Sequence, residues 1–225
     1  MPRRPRVAPG GLAYHVLNRA VARLPLFRKA ADYEAFEHIL EEAVARHTTR
    51  LLAYCVMPNH WHMVLWPRED GELTAFVRWL AHTHVMRWHA HHHTSGTGHL
   101  YQGRFKSFPI QRDDHLLTVC RYVERNALRA NLVKRAEEWR YDSLWRRQQG
   151  DAKLLAILAD WPVQRPRTWL QDVNRPQGRR EVEALRRSLI KGCPYGSPEW
   201  QARIAARLGL SHTLRPRGRP RKRKQ

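Results

Sequence analysis

Apolar and polar positions along the chain change period several times, and the changes mark out elements. Ala13 to Leu17 reads as a short strand. From Asp32 to His47 the apolar residues Tyr33, Phe36, Ile39, Leu40 and Val44 recur at helical spacing. Leu51 to Met57 and Trp61 to Trp66 read as two strands, and Pro58-Asn59 between them favours a tight turn, so a hairpin is predicted. Leu73, Phe76, Val77, Leu80 and His84 place a helix over Glu72 to about Ala90, followed by a polar, Gly-containing loop over His91 to Gly98. Arg104 to Ile110 fits a strand. Asp113-Asp114 then caps a helix to about Ala130, with Leu116, Cys120, Val123 and Ala127 as its apolar stripe. The order β-α-β-β-α-β-α predicts an α+β fold of the split βαβ, ferredoxin-like kind, an antiparallel sheet with flanking helices.

After Trp145 the texture changes. Gln148 to Asp151 reads as a linker and Pro162 to Pro176 is rich in Pro and Arg. A basic amphipathic helix follows, carrying Val182, Leu185 and Leu189. A last helix starts at Ser197-Pro198-Glu199, bears Trp200, Ile204 and Leu208, and stops at Gly209. The division predicted is a flexible basic arm over 1–11, a main domain over 12–147, a linker and small helical DNA-binding appendage over 148–210, and a basic tail over 211–225. There is no internal repeat.

Composition narrows the partner. The 225 residues carry a formal net charge of +21, which calls for a polyanion, nucleic acid before an anionic membrane surface. No apolar run approaches the ~20 residues that span a bilayer, and no apolar segment follows the basic Met1 to Arg6, so neither a membrane anchor nor a signal peptide is expected. Cys55, Cys120 and Cys193 are scattered and form no C-x-x-C pair, which fits a reduced cytoplasm. No Walker-type Gly-rich loop is present, so no nucleotide cofactor is expected.

Two places carry chemistry. On a strand His60 and His62 project to one face and Trp61 to the other, so two imidazoles stand side by side. They can chelate one divalent metal or be two hydrogen-bonded histidines in a sheet; spacing leaves both open. In the helix after the last strand, Tyr122 lies roughly 120° from the apolar stripe at about 100° per residue. Asn126 is one turn on, and Arg121, Arg125 and Arg129 add charge. This arrangement suits a nucleophile with a metal-ligand neighbour, and equally an ordinary half-buried tyrosine. The histidines at 89, 91, 92 and 93 sit where a helix runs into a polar loop and read as solvated side chains suited to the helix dipole. Trp61 and Trp88 offer aromatic faces to unpaired bases, against a plainer role in the core. The tail, Arg215 to Lys224, offers cations to a phosphate backbone, as an AT-hook-like segment in a narrow minor groove or as a nonspecific one.

Taken together, Tyr14-His-Val-Leu-Asn-Arg, Tyr54-Cys-Val-Met-Pro-Asn-His-Trp-His, Tyr101-Gln-Gly-Arg-Phe-Lys-Ser, Arg121-Tyr-Val-Glu-Arg-Asn-Ala-Leu-Arg-Ala and Leu214-Arg-Pro-Arg-Gly-Arg-Pro-Arg-Lys resemble the REP-associated tyrosine transposases of the single-tyrosine HUH superfamily. The resemblance implies His60 and His62 as metal ligands, Tyr122 as nucleophile and Asn126 as a third ligand. It implies Mg²⁺ or Mn²⁺ as cofactor and a 5′-phosphotyrosine intermediate. Single-stranded or hairpin DNA from repetitive palindromes is the implied partner. DNA contacts are expected from Arg121, Arg125, Arg129, Arg215, Arg217, Arg219, Arg221, Lys222, Arg223 and Lys224. A cytoplasmic, nucleoid-associated monomer or homodimer is expected. Ala127 departs from the family's usual Pro after the Asn, so no kink is required there. The competing readings are a non-catalytic DNA-binding regulator on the same fold and a metal phosphodiesterase that uses water.

Overall fold

A computed structural model describes residues 7–215. The first elements are β1 (Ala13–Arg19), α1 (Ala30–Arg46), β2 (Arg50–Met57), β3 (His60–Trp66), α2 (Glu72–His92), β4 (Lys106–Ile110) and α3 (Asp114–Glu124). The strands form one sheet in the order β2-β3-β1-β4, with every neighbour antiparallel. This is the α+β, ferredoxin-like order expected. The Pro58-Asn59 turn brings Met57 opposite His60, and that register sets His62 across from Cys55 on β2 and Leu17 on β1.

Alternation along the strands divides two apolar layers. Tyr14, Val16, Tyr54, Val56, Trp61, Met63 and Leu65 pack under α1 and α2, against Phe36, Ile39, Leu40, Phe76, Val77 and Leu80. Ala13, Cys55, Val64, Phe108 and Ile110 pack under α3, against Leu116, Val119, Cys120 and Val123. His60 and His62 share the α3 side.

Two helix ends differ from expectation. α2 runs on to His92 and is closed by His93 in the left-handed region, so His91 and His92 belong to the helix and not to the loop. The helix expected to reach Ala130 is interrupted at Arg125, and α4 (Asn126–Arg129) follows. A break therefore occurs without a proline at 127. It is slight, since Arg125 N–H still reaches Arg121 O and Arg129 N–H reaches Arg125 O, each at 2.9 Å.

The C-terminal third is not an appendage. It comprises α5 (Ser143–Gln149), α6 (Ala152–Leu155), α7 (Trp169–Asn174), α8 (Arg179–Lys191), α9 (Pro198–Arg207) and α10 (Ser211–Leu214). Trp169, Val173, Leu185 and Tyr195 enter the same apolar cluster as α3. Tyr195 also extends the sheet: its N–H donates to Pro109 O and its carbonyl accepts from Gln111 N–H, both at 2.9 Å. The fully buried Glu124 accepts from Ser143 Oγ at 2.6 Å and Trp169 Nε1 at 2.7 Å, tying α3 to α5 and α7. The expected linker over 148–151 is likewise structured: α5 reaches Gln149, and Asp151 caps α6. Of the expected arm, residues 1–6 lie outside the described residues, while Gly10 N–H donates to Asp70 Oδ1 and Gly11 N–H to Pro67 O.

Candidate active site

The hairpin delivers His60 and His62 to one face, and a third histidine joins them. His15 on β1 lies with its Nε2 2.8 Å from His62 Nδ1. His60 Nδ1 lies 2.6 Å from Asn59 Oδ1, and Asn59 is itself oriented by its Nδ2 donating to Arg23 O at 3.1 Å. An amide oxygen only accepts, so His60 Nδ1 carries the proton and its Nε2 keeps a lone pair. If His62 donates from Nδ1 to His15 in the same way, its Nε2 is free as well. The tautomers follow from the hydrogen-bond network.

Burial decides the charge of this trio. It pushes His15 and His60 down to about 3, with Arg19 and Arg129 adding to the effect on His60. His62 lies well below the usual imidazole range through burial, then His15 and His60. All three are neutral at neutral pH, the form that ligates a metal.

Tyr122 is 5% exposed, deeper than its position off the stripe suggests. Its ring centroid is 5.9 Å from that of His62 and 6.3 Å from that of His15, edge-on to both. The Arg129 guanidinium lies over the ring at 4.3 Å and donates to Asn126 Oδ1 at 2.8 Å. Asn126 is buried, and its Nδ2 has no hydrogen-bond partner among the described residues. Its carbonyl oxygen has a second lone pair, so the contact with Arg129 leaves room for a cation.

Two neutral imidazoles and an amide oxygen fit a divalent metal. The bonds fixing each Nδ1 match the way ligating histidines are held by outer partners. His60, His62 and Asn126 are the residues that would hold the ion, with His15 and Asn59 behind the histidines. His15 escaped sequence reasoning, as did Arg19, whose charge bears on both Tyr122 and His60.

Other residues singled out in the sequence make bonds within the chain or lie apart from this cluster. Arg121 Nη2 donates to Arg175 O at 2.8 Å, and Arg125 Nη1 donates to Val173 O at 2.7 Å and Asn174 O at 2.6 Å. These two cations hold the carbonyl end of α7, where the helix dipole favours positive charge. Arg215 offers its carbonyl to Lys191 Nζ at 2.7 Å. Arg217, Arg219, Arg221, Lys222, Arg223 and Lys224 lie outside the described residues. Trp61 is fully buried, its Nε1 donating to Tyr101 Oη at 2.9 Å, so it cannot stack on a base. Trp88 is half-buried and donates to Leu26 O.

Residues 10–126, from just before β1 to Asn126, match the model of a family described as IS200-like transposases. Among solved structures the chain is similar to that of a REP-associated tyrosine transposase bound to a REP hairpin, with a TM-score of 0.53 and 18% identity over 74% of this chain and 95% of that one. That likeness shows the fold. A protein named as a candidate transposase from Deinococcus radiodurans R1 is similar at a TM-score of 0.38 and 19% identity, over 55% of this chain and 95% of that one. Comparison with curated proteins finds no match.

Proposed function

The chain belongs to the IS200-like transposase family, and from that premise we propose that it is a metal-dependent endonuclease and strand transferase for single-stranded, hairpin-forming DNA, with Tyr122 as nucleophile. One observation carries the reading. His60 and His62 have Nδ1 atoms engaged at 2.6 Å and 2.8 Å, and beside them the ring of Tyr122 stands 5.9 Å from His62. A strand face that tethers two neutral imidazoles next to a tyrosine suits attack on phosphorus better than it suits DNA binding alone.

In this reading the Tyr122 oxygen attacks the phosphorus in line, the phenol loses its proton, and the 3′-oxygen of the upstream nucleotide leaves. A phosphotyrosine on the 5′ side and a free 3′-hydroxyl result. The bond energy is conserved, so the hydroxyl can attack back and rejoin strands without ATP. A divalent ion held by His60, His62 and Asn126, of the Mg²⁺ or Mn²⁺ class, supplies electrostatic stabilisation of the charge developing on the phosphate. Arg129 and Arg19 add fixed positive charge on the same side.

A hairpin substrate is supported by the neighbour solved with a REP hairpin and by the net charge of +21. It implies work at the nucleoid in the cytoplasm. The experiment is denaturing-gel detection of a covalent adduct between the protein and a 3′-labelled single-stranded oligonucleotide carrying a REP-type hairpin. An adduct that needs divalent metal and Tyr122 is expected. Cut DNA with no adduct would make water the nucleophile.

A further inference from the structure

The opposite side of the sheet carries a second set of donors. The last turn of α2 meets the first turn of α1, and one ligand atom from each of Asp32, His91 and His92 lies within 4.8 Å of the others. We propose that these three residues form a zinc-class metal site that pins the C-terminal end of α2 to the N-terminal end of α1, separate from the His60/His62 pair.

The donor set is the first support. Two imidazoles and one carboxylate suit Zn²⁺ and its borderline neighbours far better than Mg²⁺ or Ca²⁺. Each donor is also partly set in place. Asp32 Oδ2 accepts from the Arg28 and Lys29 backbone N–H groups at 2.8 Å and 3.1 Å, which fixes the carboxylate and does not use Oδ1. The ring of His92 lies against Trp88 with centroids 4.2 Å apart, and Trp88 is held by its Nε1 donating to Leu26 O at 3.2 Å. The His91 ring is 5.0 Å from that of His92.

The surroundings suit a cation with an open position. α2 ends beside these histidines, in the left-handed turn at His93, so the negative end of its dipole lies there. A cavity of ≈ 210 Å³ adjoins the cluster, lined in part by Ala35, Ile39 and Trp88, with room for water as a fourth ligand. His84 also lines it but is engaged with Tyr101 Oη at 2.7 Å. Three donors close this ring, with Asp32 supplied from a distant stretch of chain; a loose histidine-rich loop has no such partner.

The test uses full-length protein and zinc sulfate alone, in competition with a chromogenic chelator, with thermal melting alongside. The variant His60→Ala/His62→Ala silences the other site. It should hold a single zinc ion and melt higher with zinc than without. Adding His91→Gln/His92→Gln should weaken binding by at least about tenfold, the loss that removing even an outer partner of a ligand produces, and abolish the rise in melting temperature. Asp32→Asn keeps the oxygen that caps α1, so it should fold and lose affinity similarly. His89→Gln/His93→Gln should keep both affinity and the melting shift. If His60→Ala/His62→Ala fails to fold, the intact protein should bind one more zinc ion than its His91→Gln/His92→Gln variant. Zinc binding that is absent, unchanged by His91→Gln/His92→Gln, or equally lost in His89→Gln/His93→Gln overturns the site.

Discussion

The ring of Tyr122 stands edge-on to the imidazole of His62, centroids 5.9 Å apart and planes at 82°. A helix residue and a strand residue meet here because α3 lies across β2 and β3, with Val119 and Val123 in one apolar cluster with Cys55 of β2 and Val64 of β3. The relationship needs the whole sheet. His62 is in turn fixed from β1 by His15.

Tyr122→Phe keeps the ring and its packing against His15, His62 and Arg129 and removes only the hydroxyl. Melting temperature and hairpin binding should stay near wild type. Cleavage and adduct should both vanish, because no other group can take up in-line attack without moving. Tyr101 is a poor substitute: it is buried, engaged by Trp61 and His84, and lies in the layer on the other side of the sheet. An adduct that survives in Tyr122→Phe would show that another tyrosine carries the reaction.

His15→Phe should act through the metal. Phe can keep the stack on Phe108, now at 4.9 Å, but cannot bond His62 Nδ1. Losing such an outer partner costs about 10–100-fold in metal affinity. The Mn²⁺ concentration for half-maximal cleavage should rise by that factor, and high Mn²⁺ should restore much of the rate. A rate that falls with no change in metal requirement would make His15 merely structural.

Part of this site was legible in sequence because it rests on local rules. The i, i+2 spacing gives His60 and His62 one face, and Pro58-Asn59 gives the hairpin. His15 was not legible, because its contact spans 47 residues and depends on the β1–β3 register. Whether Trp61 faces bases or the core stayed open because alternation says which residues share a face, not which faces are covered; here helices cover both. Tyr122 sits off the helical stripe yet is buried, since the trio of His15, His62 and Arg129 closes over it. The C-terminal third read as a linker and a small helical appendage, in part from its Pro and Arg content. Its few apolar residues, Trp169, Val173 and Leu185, are spent on the core. The bonds of Arg121 and Arg125 to the end of α7 were not legible, because a cation's partner here lies some fifty residues away along the chain.

Trp169→Phe should show that the C-terminal third stabilises the catalytic sheet. It removes the donor to Glu124 Oε2 at 2.7 Å and leaves a buried carboxyl oxygen unpaired. The expected loss is about 1–3 kcal/mol in urea unfolding, and truncation after Gly150 should prevent stable folding. A loss within about 0.5 kcal/mol, the range of ordinary surface changes, would mean that the tether does little.

Removing residues 216–225 takes away Arg217, Arg219, Arg221, Lys222, Arg223 and Lys224. If these neutralise phosphates, the salt dependence of single-strand binding becomes shallower by about 0.7 in log–log slope per contact. Cleavage at saturating DNA should persist, because the proposed reaction uses Tyr122, His60, His62 and Asn126, all of which remain. An unchanged slope would mean that the tail does not touch phosphate in the complex.

His84 should make the fold acid-sensitive. It is buried between Phe27 and Phe36, and burial pushes it down to about 3. His84 Nδ1 lies 2.7 Å from Tyr101 Oη, which also accepts from Trp61 Nε1; a neutral His84 that accepts there takes the Tyr101 proton, and a charged His84 would have to reverse that bond. The unfolded chain binds a proton at the ordinary imidazole pKa, about 6.5, which the folded chain refuses until about 3. In that window the unfolded state holds more protons, so stability rises with pH and falls as pH drops below about 6.5. His84→Gln offers Tyr101 an amide oxygen that does not titrate. Between about pH 4 and 6 its unfolding free energy should vary less steeply than wild type, by up to about 1.4 kcal/mol per pH unit. His15, His60 and His62 are shifted the same way and contribute to the slope that remains. Parallel profiles for the two proteins would mean that His84 already takes its proton in the folded state.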